Sequence, residues 1–178
     1  MTGQKSVMLC GFGGQGIVLA GLILGKAAVI QGLNAAQSTS YGSESRGSAC
    51  RSEVIIASTN IIYPHVRKAD ILGVMSQAGF DKFRHKLTEK SGVLFYDSSL
   101  VKVDDNAAKQ AIGLPVTEIA VQKLEKKIVA NLVFLAAIVK RTNVVSIDAL
   151  KSAVRQLVPE KFLDLNLRAV KEGEFLGV

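Results

Sequence analysis

The run Gly11, Phe12, Gly13, Gly14, Gln15, Gly16 constrains this chain more than any other feature, because a short apolar run at 6–10 precedes it and a long apolar stretch at 17–30 follows it. A brief apolar run that stops at glycines reads as a buried strand. A stretch apolar on nearly every face, and long enough for several turns, reads as a buried helix. Strand, glycine turn and helix make the opening unit of an α/β fold, in which strands lie side by side under helices. Gly11, Gly13 and Gly16 satisfy G-x-G-x-x-G, so the backbone can approach an anion closely. The first turn of the helix adds free N–H groups and partial positive charge at the same point. A tight turn with close packing of helix on sheet would use the same glycines. The residues leave both readings open, and on the first of them Gly13→Val should block the approach and strain the turn.

The remaining chain extends that unit. Gly32 ends the helix, and Leu33 and Asn34 begin a second extended piece. Residues 38–48 are too rich in Ser and Gly for a regular element, and 49–58 alternate before closing on an apolar run, as a half-exposed strand entering the core would. Residues 71–75 predict another buried strand. Ser76 then starts a helix whose Phe80, Phe83 and Leu87 recur at helical spacing. Further strands are predicted at 93–96 and 114–116, the latter at a sheet edge because Pro115 cannot donate to a ladder. The last third reads as helices at 118–141 with a break near Lys126, at 146–157 behind a Ser cap, and at 159–175. The expected fold is α/β: a Rossmann-like, open, mostly parallel sheet flanked by helices, with a helical C-terminal third, residues 1–178 forming a single domain.

Several chemistries are excluded by what is missing. A dinucleotide site needs an Asp or Glu about 20 residues beyond the glycines. Asn34, Ala35, Ala36, Gln37 and Ser38 stand there, and of these only Gln37 could bond a ribose, weakly. No phosphate-binding P-loop is present, since Ala27 follows Gly25 and Lys26 where Ser or Thr must hold the metal. Cys10 and Cys50 are the only cysteines, so this chain alone is expected to bind no zinc, iron–sulfur cluster or other iron, and with no diphosphate-metal motif it is expected to bind no thiamine diphosphate. They read as small hydrophobes in a reduced, cytoplasmic protein. No signal peptide or membrane span is apparent. His65 reads as a surface residue, His85 as solvated and Asp97 as a turn former. The net charge of +7 favours an anionic partner. Nucleic acid is disfavoured, because no basic run is interleaved with aromatics.

One further segment combines binding groups. Ser40, Tyr41, Gly42, Ser43, Glu44, Ser45, Arg46 and Gly47 follow the second strand, at the edge where open α/β sheets bind ligands. Arg46 can hold a carboxylate or phosphate through two parallel bonds, or merely pair with Glu44 in a solvated loop. As a ligand contact, its loss in Arg46→Ala would weaken binding by ~1.5–3 kcal/mol.

Taken in order, the glycine run at 11–17, the segment 40–47, Arg-Ser-Glu-Val-Ile at 51–55, Ala69-Asp70, Ser76-Gln77, Phe-Tyr-Asp-Ser-Ser at 95–99 and Asn131 resemble the gamma subunit of 2-oxoacid:ferredoxin oxidoreductases. The 2-oxoglutarate type is the nearest; the pyruvate, 2-oxoisovalerate and indolepyruvate types share the domain. The resemblance implies a non-catalytic subunit of an enzyme complex that converts a 2-oxoacid and coenzyme A to acyl-CoA, CO2 and reduced ferredoxin. It implies alpha, beta and in some complexes delta subunits as partners, ferredoxin reached through the complex, and thiamine diphosphate and iron–sulfur clusters held elsewhere. Isolated, the chain could pair as a homodimer. The implied coenzyme A contacts are Gly11, Gly13, Gly14, Gln15, Gly16, Ser40, Tyr41, Gly42, Glu44 and Arg46. Cys50 stands where the family has a smaller residue and Ser43 where it often has Pro, which bears on the loop between them. The competing reading is a stand-alone nucleotide-binding or NAD-dependent oxidoreductase domain. It predicts activity alone, whereas a subunit should expose an apolar patch.

Overall fold

The computed structural model describes residues 3–40, 49–104 and 111–177. Six strands form one sheet among them, at Gln4–Phe12 (β1), Asn34–Ser40 (β2), Ala49–Ala57 (β3), Ile71–Val74 (β4), Val93–Asp97 (β5) and Ala111–Leu114 (β6), in the order β2-β3-β1-β4-β5-β6. Pairing is parallel from β1 through β4 and β5 to β6, while β3 runs antiparallel to both β1 and β2. The mostly parallel sheet is as expected, with one reversed strand. That reversal follows from the short connection between β2 and β3, which cannot hold the crossover a parallel pair needs.

The period-two rule decides which core each side chain joins. Val7 and Leu9 of β1 face one hydrophobic cluster, together with Val54 and Ile56 of β3, whereas Met8, Cys10, Ile55 and Leu72 face the other. The first cluster is covered by α1 (Ile17–Ile30), α3 (Val116–Leu124), α4 (Ala130–Thr142), α5 (Ile147–Leu157) and α6 (Glu160–Leu176). The second is covered chiefly by α2 (Gln77–Phe83), whose first turn is capped by Ser76, the hydroxyl accepting from the Gly79 N–H at 3.1 Å. Ser146 caps α5 in the same way through Ala149.

Three expectations need correction. β3 is not half exposed: it lies between two strands and under side chains on both faces, so that even Ser52 and Glu53 are buried. The strand near Pro115 ends at Leu114, and α3 begins at Val116, two residues before the expected start, because proline suits a helix entry better than a strand interior. β6 does occupy the sheet edge, and the helical break falls near Lys126, with Glu125 left-handed at φ 55° and a 3-10 turn at Lys127–Val129. Finally, α1 is buried on one side only. Leu19, Leu22, Val29 and Ile30 are 36–52% exposed, an apolar stripe facing outward.

Helix α4 is the buried centre of the C-terminal layer, with residues 130–139 all out of solvent. Helix α6 crosses it so closely that a Cβ on Gly173 would lie 2.1 Å from the Val133 carbonyl oxygen.

Candidate functional site

Strand β1 continues through Gly11 and Phe12, so the turn proper begins two residues later than the apolar run suggests, and Gly11 pairs with Cys50. A Cβ at Gly11 would lie 2.5 Å from Gln15 Oε1 and 2.8 Å from Ile17, so Gly11 is the close-packing glycine of the motif. Gly14 and Gly16 carry the left-handed conformations, at φ 93° and 72°, which only glycine adopts without strain. Gly16 caps α1 without a side-chain cap bond, so among the described residues the positive end of the helix is left open to an anion. Gly13 has no left-handed φ, and among the described residues no atom lies within 4 Å of an added Cβ. The strain expected of Gly13→Val therefore has no source among the described residues, which leave the space beside Gly13 open.

Gln15 serves the turn itself. Its Oε1 accepts from the Phe12 N–H at 2.6 Å and its Nε2 donates to the Met75 carbonyl at 2.9 Å, clipping the turn to the end of β4. Asn131, at the start of α4 and only 4% exposed, donates from Nδ2 to the Gly16 carbonyl at 3.1 Å, while its Oδ1 accepts from the Leu132 N–H. Half-buried Gln15 within the turn and buried Asn131 from a remote segment thus hold the turn's shape. No spacing rule links Asn131 to Gly16 across 115 residues of sequence.

Ser40 ends β2 opposite Arg51, and Ala49 opens β3 opposite Phe12. Tyr41, Gly42, Glu44 and Arg46 lie outside the described residues, but the strands on either side of them leave the sheet at the edge that carries the glycine turn. At this root Arg51 Nε sits 3.0 Å from Glu53 Oε1, with the guanidinium over the Phe83 ring. Glu53 Oε2 accepts from the Ser38 hydroxyl at 3.0 Å and the Val66 N–H at 3.2 Å, which satisfies a carboxylate that is 4% exposed. These residues anchor; the alternation at 49–54 that puts Arg51 and Glu53 on one face was the available signal.

Two concavities meet at the glycine turn. One, of about 210 Å³, is lined by Gly14, Gln15, Met75, Thr117, Lys127 and Ile128 among others. The second, of about 300 Å³, runs from Gly16 and Leu19 past Ile128 to Val158 and Phe162 and is apolar except for Asn131 and Asn166. Ile128, 62% exposed, is the ridge between them. Lys127 brings a cation to the first, a contribution missed in sequence because the helical break there was visible but its destination was not.

Other candidates resolve to structure. Gln37 donates to the Val18 carbonyl and the Ser52 hydroxyl, so it ties α1 to the sheet and has no proton to spare for a ribose. With no carboxylate at the end of β2, nothing here supports the dinucleotide reading. Asp97 forms the expected turn by accepting from the Ser99 N–H, and also accepts from Thr117 at the first turn of α3. His65 is at the surface beside Tyr63, and His85 is exposed. Among the described residues no cluster of His, Cys, Asp and Glu could hold a metal ion.

Both cysteines are buried and unpaired. Burial pushes each thiol above its ordinary value; for Cys10 the charge of Arg51 opposes this only in part. A raised thiol pKa leaves little thiolate, and the thiolate is the nucleophile. Native protein at pH 7.5 should therefore label at Cys10 about a hundredfold more slowly than urea-unfolded protein, because reaction waits for opening. Stopped-flow labelling with a chromogenic disulfide checks this, and equal rates would contradict it.

Comparison with known proteins follows the same outline. The chain is 40% identical over 173 residues to the 2-oxoglutarate synthase subunit KorC of Methanocaldococcus jannaschii, covering 96% of this chain and 92% of that one. Its fold superposes, with a TM-score of 0.85 and 37% identity, on the gamma subunit of a keto/oxoacid ferredoxin oxidoreductase from Geobacter sulfurreducens, over 99% of this chain and 97% of that one. It also matches, at a TM-score of 0.87 over 31% of the longer chain, the 2-oxoglutarate:ferredoxin oxidoreductase of Magnetococcus marinus with 2-oxoglutarate, coenzyme A and succinyl-CoA bound; at 19% identity this shows shared fold alone. The glycine turn, the clip that holds it and the helical layer behind it all fall within residues 6–174, which match the model of the pyruvate ferredoxin/flavodoxin oxidoreductase family, and to that family this chain belongs.

Proposed function

We propose that this chain is the gamma subunit of a 2-oxoacid:ferredoxin oxidoreductase of the 2-oxoglutarate type. The complex oxidises a 2-oxoacid with coenzyme A to acyl-CoA and CO2 and passes two electrons to ferredoxin. The observation that carries the reading is the end-to-end match to a 2-oxoglutarate synthase subunit at 40% identity. Alpha and beta subunits, and a delta subunit where the complex has one, are the partners, in the cytoplasm. Among the described residues no helix is long and apolar enough to cross a membrane. With two buried thiols and no metal-ligand cluster among the described residues, this chain does not fit an iron–sulfur cluster. The clusters and thiamine diphosphate, which supply the decarboxylation and electron-transfer chemistry, are assigned to the other subunits.

This chain's own residues bind and orient. The open α1 terminus at Gly14 to Gly16 and the Lys127 ammonium present positive charge to phosphate, while the groove past Leu19 and Phe162 accepts an apolar arm. Coenzyme A carries both features on one molecule, and Arg46 on the adjoining segment is the second cation this reading assigns to it. The outward apolar stripe of α1 supplies the subunit interface.

Co-expression with the alpha, beta and, where present, delta subunits of a 2-oxoglutarate-type complex from the same genome tests the reading. The subunits should co-purify and reduce methyl viologen with 2-oxoglutarate and coenzyme A, and the chain alone should not. In the complex, Lys127→Glu and Arg46→Ala should each raise the apparent KM for coenzyme A about tenfold or more, corresponding to ~1.5–3 kcal/mol for a charge-assisted contact, with kcat little changed. Turnover by the isolated chain, or a complex indifferent to its omission, would remove the subunit assignment. An unchanged coenzyme A KM in both variants would leave the glycine turn with a purely structural role.

A further inference from the structure

The far end of α4, about 18 Å from its start at Ala130 by helical rise, carries a second and separate concavity. It is an open cleft of about 490 Å³ between α4, α5 and α6, lined by Lys140, Lys151, Arg155, Lys171, Glu174 and Phe175, with Leu167 in its floor. Four cations face one carboxylate there, a far stronger bias than the 22 to 15 of the whole chain. Glu174 neutralises only Lys151, at 3.0 Å, and Glu172 on the same helix turns away to pair with Lys123 of α3. Lys140 lies in the last turn of α4 and is in part balanced by the helix dipole. Arg155 and Lys171 have no acidic partner among the described residues.

Between these cations Phe175 is 65% exposed, at the end of a row with Leu167 and Lys171 along two turns of α6, about 12 Å of surface. A large aromatic ring held in water amid unpaired charge is what an interface anchor looks like before its partner arrives. The cleft offers no glycine-lined backbone donors and no buried polar side chain, which compact phosphorylated ligands exploit. Its length and openness suit an extended chain instead.

From this we infer that the α4–α5–α6 cleft docks an acidic polypeptide segment of a partner subunit, its carboxylates met by Lys140, Arg155 and Lys171 and an apolar side chain seated against Phe175. The inference rests on the subunit reading above. It adds a second, electrostatic contact on a different part of the chain from the apolar α1 stripe, and such contacts set specificity and salt dependence more than raw affinity.

The test is zero-length carbodiimide coupling of the assembled complex, which joins a lysine ammonium to a carboxylate only when the two already touch. Lys140, Lys151 or Lys171 should be linked to Asp or Glu of another subunit, and the links should fall away as salt is raised to 0.5 M during coupling. Arg155→Glu with Lys171→Glu, and separately Phe175→Ser, should weaken association of this chain with the complex at least tenfold at physiological salt. Lys5→Glu with Lys90→Glu makes the same charge change outside the cleft and should not. A complex that assembles with only Lys151–Glu174 links overturns the docking role while leaving the subunit reading standing. So does equal weakening by the control pair, or protection of the cleft lysines by pyrophosphate without any intersubunit link. Failure of the chain to enter any complex overturns both.

Discussion

Gly173→Ala should cost the protein about 3 kcal/mol or more and lower its melting temperature by roughly 6–12 °C. The added Cβ would lie 2.1 Å from the Val133 carbonyl oxygen and 2.7 Å from the Ala136 Cβ. The first of these is backbone of a helix buried along most of its length, so no side chain can swing aside, and α4 and α6 must separate. Helix propensity acts the other way, by about 1 kcal/mol in favour of alanine, and is outweighed. Because the interface between α4 and α6 also supports one wall of the basic cleft, the variant should lose soluble assembly before it loses secondary structure. Urea titration followed by far-ultraviolet dichroism measures the effect. A midpoint equal to that of the parent would mean that the two helices yield more easily than their packing indicates.

Gly16→Ala is expected to remove a comparable amount, about 2–4 kcal/mol, and to do so at the site. Part is backbone: alanine in the left-handed region costs about 1–2 kcal/mol, and Gly16 has φ 72°. The rest is contact, since the new Cβ would lie 2.3 Å from Asn131 Nδ2, the atom that donates to the Gly16 carbonyl. Displacing that amide breaks its hydrogen bond and leaves a buried donor unpaired. The two parts separate in a double-mutant cycle. In an Asn131→Ala background the contact is gone, so Gly16→Ala should then cost only the backbone share. Strict additivity of the two substitutions would show that Asn131 does not hold the turn. The coenzyme A KM of the assembled complex should rise in Gly16→Ala, while Gly13→Val should leave stability near that of the parent, because its φ is not left-handed and no described residue lies within 4 Å of the added Cβ. Any effect of Gly13→Val should therefore appear in ligand binding, where the sequence motif alone puts it in both binding and strain of the turn.

These two glycines mark the limits of reading the chain as text. The motif at 11–16 announced its turn, since strand, glycines and a helix-length apolar stretch are local signals, and local signals survive without knowledge of the partner surface. The caps at Ser76 and Ser146 were legible for the same reason: a hydroxyl bonding an amide three residues on involves one stretch of chain. So was the sheet's mostly parallel character, because strands separated by helix-sized segments have few other ways to pair.

What the text could not carry is anything that depends on two distant segments meeting. Period and propensity named α1 a buried helix, yet burial is set by what covers a face, and nothing among the described residues covers Leu19, Leu22, Val29 and Ile30. Gln37 read as a weak ribose contact until the fold brought it against the Val18 carbonyl and Ser52. Lys127 read as a residue near a helix break, and only the return of α4 to the sheet carried it to the glycine turn. Gly173 carried no local signal at all. The sequence by itself determined most of the elements and their order, because these follow from short-range sterics and the alternation of apolar side chains, while the family entered through the resemblance of its motifs. Tertiary structure alone decided which glycine is strained, which is crowded and which merely leaves room, because a Cβ is tolerated or forbidden by atoms that the chain brings back from more than a hundred residues away at Gly16 and from forty at Gly173.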